Sequence, residues 1–288
     1  MDLSLGIVFG LIAMAGFGLH TAISQVPIRS VGIVRTIFFR NIFTSSILLA
    51  GVLLFQQHAT LSLKYVGIAL AISFMGYIPL VMFFKALNSG KVGVVTPIAN
   101  SSVIFTILFS ILFFGESLSG VQTLSIALIV LGIVLISVDF GGLKNSMLLK
   151  VSSGVPYALV TSVLWGVVFF LFKIPVDVLG PILTAFVTEF GIMIFAAANM
   201  GLMRMKFTVP DKKDIRYIGI ASFFGAIGAL AYNYGITFAD VSIVAALTFA
   251  NPLVSTLYAK IVYREKLCTL QYLAILLMIA GIVLISYF

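Results

Sequence analysis

The chain has 288 residues, of which 61% are hydrophobic and only 9% are charged, and its mean hydropathy is +1.23. A water-soluble domain of this length needs far more charge to cover its surface, so the composition indicates a protein surrounded by lipid. The net charge of +8 comes mostly from residues near the ends of apolar segments, which excludes a nucleic-acid-binding surface. The single cysteine, Cys268, excludes an intrachain disulfide and a cysteine metal cluster. We expect no metal and no cofactor.

Ten apolar segments along the chain are each long enough to cross a bilayer, which takes about 20 residues of helix. They lie at 5–25, 33–55, 64–87, 92–114, 119–138, 154–173, 179–203, 214–238, 241–263 and 268–287. The segments are continuously apolar and do not alternate as the strands of a membrane barrel do. The sequence therefore predicts an all-α integral membrane protein with ten transmembrane helices.

Lysine and arginine are distributed unequally between the two sides that these spans define. Only Lys64 and Lys173 fall on one side. The other side carries the remaining 15 of the 17: Arg29, Arg35, Arg40, Lys85, Lys91, Lys144, Lys150, Arg204, Lys206, Lys212, Lys213, Arg216, Lys260, Arg264 and Lys266. Because positively charged loops stay in the cytoplasm, this side is predicted to be cytoplasmic and both termini to be non-cytoplasmic.

The two halves of the sequence resemble each other at an offset of 149 residues. That offset places 132–137 on 281–286, where both segments have the sequence Gly-Ile-Val-Leu-Ile-Ser, and Glu116 on Glu265. An offset of 148 places 17–18 on 165–166. Five spans per repeat invert the second copy, so the sequence predicts two inverted five-helix repeats. We assign residues 1–138 and 154–288 to the repeats and 139–153 to a linking loop.

These motifs are similar to those of the drug/metabolite transporter superfamily, and of its EamA-type members in particular. The resemblance rests on the segments 114–116 and 263–265, on Pro252 thirteen residues before Glu265, and on Gln122 and Gln271. It implies a bundle in which spans one to four and six to nine surround a central cavity, while spans five and ten lie at the periphery. It also implies a multi-pass protein that moves small polar metabolites, such as amino acids leaving bacteria across the inner membrane.

Seven polar or aromatic residues within the spans are candidates for substrate binding. Amide, imidazole and aromatic side chains in a membrane interior either bind a ligand or hold helices together, and both interpretations stay open. Three prolines remove a backbone donor inside predicted spans and are candidates for helix bending. The substrate-binding candidates are His20, Tyr77, Asn100, Trp165, Tyr232, Asn233 and Asn251, and the helix-bending candidates are Pro79, Pro97 and Pro252.

Glu189 is the acidic residue that lies deepest in any predicted span. A buried ionisable group in a membrane indicates function by default. Two roles are open: Glu189 exchanges a proton for substrate, or it forms an ion pair with Arg40, which is equivalent to it at the 149 offset, or with Lys173. Lys85 is a candidate for drawing anionic substrate inward. Glu116 and Glu265 stand at the starts of spans five and ten, where we expect them to cap those helices.

A secondary transporter that exports amino acids is the function these features favour. A transporter of sugar phosphates or nucleotide-linked metabolites, and a passive channel or packing scaffold, are the alternatives. An intramembrane enzyme needs clustered acids, histidines or cysteines, and the sequence has no such cluster. An ATP-driven pump needs a phosphate-binding loop, and the sequence has no such motif. The expected partners are a small-molecule substrate, the lipid bilayer and, as a candidate, protons; the sequence leaves a monomer and a homodimer open.

Overall fold

The computed structural model describes residues 2–55, 61–89, 98–137, 154–262, 264 and 267–287. Pro97, Glu265 and the whole predicted linking loop, 139–153, lie outside them. The described residues form these helices: α1 (Leu3–Val31), α2 (Ile33–Phe55), α3 (Leu63–Ser89), α4 (Ser102–Phe114), α5 (Gly120–Ser137), α6 (Val155–Leu171), α7 (Lys173–Leu179), α8 (Pro181–Leu202), α9 (Lys212–Phe238), α10 (Val241–Phe249), α11 (Pro252–Val262) and α12 (Thr269–Tyr287).

Eight helical segments of the described chain are long and apolar enough to cross a membrane, and two shorter apolar helices cover 98–114 and 120–136. The sixth span is longer than the predicted 154–173, since it consists of two helices in series that reach Leu179, and the ninth predicted span is also two helices in series. Span six changes from α6 to α7 at Phe172, and span nine changes from α10 to α11 at Ala250 and Asn251. The second break falls at Pro252, because a proline ring cannot donate to the preceding turn.

The bundle exposes apolar side chains, as the composition predicts for a protein in lipid, and buries polar side chains within a mainly apolar core. Leu53 and Phe113 are each 70% exposed, whereas Asn41, Thr44 and Thr106 are completely buried. Many hydroxyl groups form hydrogen bonds within or between helices: Thr106 donates to the carbonyls of Ser102 and Gly166. Some buried polar side chains, such as that of Thr106, therefore join one helix to another, since the lipid around the bundle offers no partners.

The sequence repeat is also a packing repeat. Helices α5 and α12 lie antiparallel, with Gly132 against Met278 and Gly281 against Ile129, and Met278 follows Ile129 by the same 149 residues. A side chain at either glycine would collide with its neighbour, so both positions require close backbone approach. The two contacts are related by a pseudo-two-fold axis.

The same symmetry relates the helices around the centre of the bundle. Helix α1 packs against α9, and its equivalent α6 packs against α3. Gly18 of α1 lies against Val254, while Gly166 of α6 lies against Phe105, the residue equivalent to Val254. We call the end of the bundle where α1 begins the Asp2 end, and the end where α1 finishes the Arg29 end.

We expected Glu116 to cap the helix that follows it, α5, but the structure shows that it does not. Helix α5 is capped by a reciprocal pair, in which the Ser119 amide donates to the Gln122 side chain and the Gln122 amide donates to the Ser119 hydroxyl. This arrangement is a capping box. The carboxylate of Glu116 instead reaches the first turn of α10, in the other half of the chain.

Candidate functional site

A cavity of about 180 Å³ lies between the two halves, in the middle of the bundle. Its lining from α1 runs from Phe17 to Ile28, so the cavity extends from the centre toward the Arg29 end. The predicted site residues on its wall are His20, Arg40, Asn100, Trp165, Glu189, Tyr232, Asn233, Asn251 and Pro252. An apolar cavity of about 150 Å³ holds a benzene ring, so this one suits a small metabolite.

Aromatic rings form one wall of the cavity and close it toward the Asp2 end. The rings of Trp165 and Phe83 lie 5.1 Å apart between centroids. Phe169 stands at the centre of the closed end, 4.9 Å from Tyr232 and 4.7 Å from Phe249, both edge to face. The Tyr232 hydroxyl donates to the Phe169 carbonyl at 2.8 Å, which fixes its ring against the wall.

An ion pair on the cavity wall joins α2 to α8. Nη2 of Arg40 lies 3.3 Å from Oε2 of Glu189, and Nδ2 of Asn41 donates to the same oxygen at 2.9 Å and to the Glu189 carbonyl at 2.8 Å. Arg40 and Glu189 are buried, with 7% and 8% exposed. Each charge is therefore compensated by the other half of the protein. Lys173, the other predicted partner, bonds instead to Asp177 and to the Ile236 carbonyl.

Several polar groups on the wall are already partly used within the protein. Nδ1 of His20 lies 2.9 Å from the Ala221 carbonyl oxygen, so this nitrogen donates and a neutral ring keeps Nε2 as an acceptor. The amide of Asn251 donates to the Thr248 carbonyl at 3.2 Å, and the amide of Asn233 donates to the Pro181 carbonyl at 3.1 Å. Each of these asparagines keeps its side-chain oxygen for other donors.

Three predicted residues lie away from the cavity lining. Tyr77 is buried away from the cavity lining, and its hydroxyl accepts a hydrogen bond from Asn199 at 2.7 Å, so it holds α3 against α8. Lys85 is exposed and does not line the cavity. Pro79 lies inside α3 with its carbonyl accepting from Thr161. Pro97 lies outside the described residues.

Sequence inspection missed the phenylalanines of the wall. Phe83, Phe169 and Phe249 are three of 26 phenylalanines in the chain, and nothing in their spacing separates a cavity wall from a lipid-facing surface. Trp165 was found because it is the single tryptophan and lies at mid-span. Thr188, on the wall beside Glu189, was also missed, since its hydroxyl resembles any other in these helices.

The sequence profile of the EamA-like transporter family matches residues 4–138 and 152–287 of the chain. The chain belongs to this family. It is thus a multi-pass membrane transporter of the drug/metabolite type, and both matched segments are copies of the same unit. A crystal structure of another protein superposes with a TM-score of 0.79 at 17% identity, over 97% of this chain and 95% of that one, which shows a shared fold. No curated protein matches the chain in sequence.

Proposed function

We propose that this EamA-like transporter exports amino acids across the cytoplasmic membrane by alternating access. In this proposal the chain crosses the membrane ten times, with α6–α7 as the sixth span and α10–α11 as the ninth. The two halves are inverted five-span repeats around the cavity. The excess of lysine and arginine at the Arg29 end favours a cytoplasmic position for that end, so both termini are outside.

The balanced charge of the cavity carries the proposal. In the described part of the chain, the charged groups on its wall are one arginine and one glutamate, Arg40 and Glu189, and they face each other. A substrate with a net charge would enter a low-dielectric space without a counter-charge, which costs several kcal/mol. A zwitterion brings one charge of each sign and matches the pair.

The geometry suggests how an amino acid is oriented in this cavity. Arg40 lines the cavity, and its contacts with Asn41 and Glu189 use only part of the guanidinium N–H groups, so donors remain for the substrate carboxylate. The substrate ammonium group then faces Glu189. The apolar rings of Trp165 and Phe83 offer the side chain a flat surface. This arrangement favours amino acids with uncharged, apolar side chains.

The alternative functions fit this cavity less well. A sugar phosphate carries net negative charge, and the positive charge of Arg40 is already balanced by Glu189, so the wall has no net charge to compensate it. A passive channel needs a continuous polar path, whereas the rings of Phe169, Tyr232 and Phe249 close this cavity at the Asp2 end. Proton exchange by Glu189 is also disfavoured, because its carboxylate already accepts hydrogen bonds from Arg40 and Asn41.

Counterflow in proteoliposomes tests the proposal. Vesicles loaded with unlabelled phenylalanine should accumulate labelled phenylalanine, whereas vesicles loaded with a hexose phosphate should not accumulate the labelled hexose phosphate. Glu189→Gln should raise the KM for phenylalanine about tenfold or more, because an interaction with a charged group is lost. The reverse substrate preference would refute the proposal.

A matched control separates the cavity from general effects of lost charge. Asp177→Asn also removes a carboxylate from an ion pair, but one whose aspartate side chain is half exposed and lies away from the cavity. Its KM should stay at the wild-type value. The same two variants test proton coupling: pH dependence that disappears in Glu189→Gln alone would restore the proton-exchange role.

A further inference from the structure

The carboxylate of Glu116 forms an unusual contact between the two halves of the protein. Oε1 accepts the Val241 amide at 2.7 Å, and Oε2 accepts the Ser242 amide at 3.0 Å and the Ser242 hydroxyl. Glu116 precedes α5 in the first half, whereas Val241 begins α10 in the second. Three hydrogen bonds to one charged group therefore join segments 125 residues apart.

Helix α10 depends on this contact for its cap. The first amides of a helix have no partner within it, and the helix dipole favours negative charge there. The side chain of Asp240, at the usual capping position, makes no capping hydrogen bond. Glu116 supplies both the acceptors and the negative charge from the opposite half.

Helix α10 is also one of the elements that close the cavity at the Asp2 end, together with Phe169 and Tyr232. All nine of its residues are buried, and its last two, Thr248 and Phe249, line the cavity. Phe249 packs edge to face on Phe169. A movement of α10 therefore removes Phe249 from its contact with Phe169 and opens this part of the wall.

The connection after α10 allows it to move separately from α11. The amides of Ala250 and Asn251 bond back to the carbonyls of Leu247 and Thr248, which is the tighter three-residue pattern of a helix end. Pro252 then begins α11 without an amide to continue the ladder. A bend at this point breaks few backbone hydrogen bonds, and the Glu116 contact adds to the packing that holds the free end of α10.

We propose that Glu116 is a latch that holds α10 closed at the Asp2 end, and that transport requires the release of this latch. Glu116 is a positioning residue, since it acts on the cavity through α10 and touches no substrate. The inference rests on the alternating-access part of the proposed function, and it is independent of which substrate is carried.

Alkylation of a cysteine in the cavity tests the latch without any substrate. Thr248→Cys in a Cys268→Ser background places a thiol on the cavity face of α10, and the Thr248 hydroxyl has no hydrogen bond to lose. A membrane-impermeant maleimide is added to right-side-out and to inside-out vesicles. Separate labelling of Asp2→Cys identifies which solution faces the Asp2 end.

Glu116→Gln should raise the alkylation rate from the Asp2 end about tenfold or more, because the charged acceptor is lost. Ser242→Ala removes one of the three hydrogen bonds and should raise the rate less. Asp211→Asn removes the carboxylate cap of α9 at the Arg29 end, within a single half, and should leave the rate unchanged.

An unchanged rate in Glu116→Gln would overturn the latch. An equal rise from both ends would also overturn it, because it would indicate a loosened fold instead of an opened end. Failure of phenylalanine counterflow would refute the amino-acid substrate and leave these alkylation rates unaffected, so the two proposals fail separately.

Discussion

Exchanging the two members of the buried ion pair tests whether the pseudo-two-fold axis governs the centre of the bundle. Arg40 and Glu189 are 149 residues apart, the offset of the sequence repeat, and they face each other across 3.3 Å. The axis therefore interchanges the two positions. The double substitution Arg40→Glu with Glu189→Arg should rebuild the pair across the same gap with its polarity reversed.

The magnitudes follow from the burial of the pair. Arg40→Gln or Glu189→Gln alone leaves an uncompensated charge in a site that is less than a tenth exposed, which should lower the free energy of unfolding by about 3–5 kcal/mol. The exchanged pair should recover most of this loss. Its free energy of unfolding should stay about 1.5–3 kcal/mol below that of the wild type. The reason is that the Asn41 amide, which donates to the Glu189 carboxylate in the wild type, would then face a guanidinium, which cannot accept.

The assay is unfolding of the detergent-solubilised protein by added sodium dodecyl sulfate, followed by circular dichroism. The four proteins needed are the wild type, the two single variants and the exchanged variant. An exchanged variant as unstable as the less stable single variant would refute the reasoning. Such a result would mean that the local surroundings of the two positions differ more than the symmetry of the backbone indicates.

Two further predictions concern backbone positions. Gly281→Ala should lower the free energy of unfolding by about 1–3 kcal/mol, because the new methyl group would lie 2.6 Å from a backbone carbonyl of α5. In Gly219→Ala the methyl group meets nothing within 4 Å, so this variant should raise the free energy of unfolding by about 0.5–1 kcal/mol. Equal thermal unfolding of the two variants would contradict this prediction. Arg264 occupies the left-handed region at φ 56°, as does Gly115, its equivalent, at φ 68°. Arg264→Gly should therefore gain about 1 kcal/mol in the same assay, and a loss would show that the arginine side chain stabilises the turn.

Part of the candidate site could be predicted from single residues. Glu189 and Trp165 stand out because a carboxylate and an indole are rare at mid-span, and both lie on the cavity wall. Tyr77 stands out for a similar reason but bonds to Asn199 in a helix interface. A polar group that binds a helix and one that faces a cavity look alike in sequence, since both occur at the same depth in an apolar span.

The sequence by itself determined the membrane environment, the helical segments and the two-fold repetition. Hydropathy depends on composition over about 20 residues, and a repeat is visible as identity at a fixed offset, so neither needs a folded chain. Tertiary structure alone decided which residues meet. It placed Arg40 rather than Lys173 beside Glu189, gave Phe169 its place in the wall and directed Glu116 to the other half. Contacts between segments more than a hundred residues apart depend on how each helix is rotated about its axis and on how the helices cross. A continuously apolar sequence does not determine these rotations, because lipid can surround any face of such a helix.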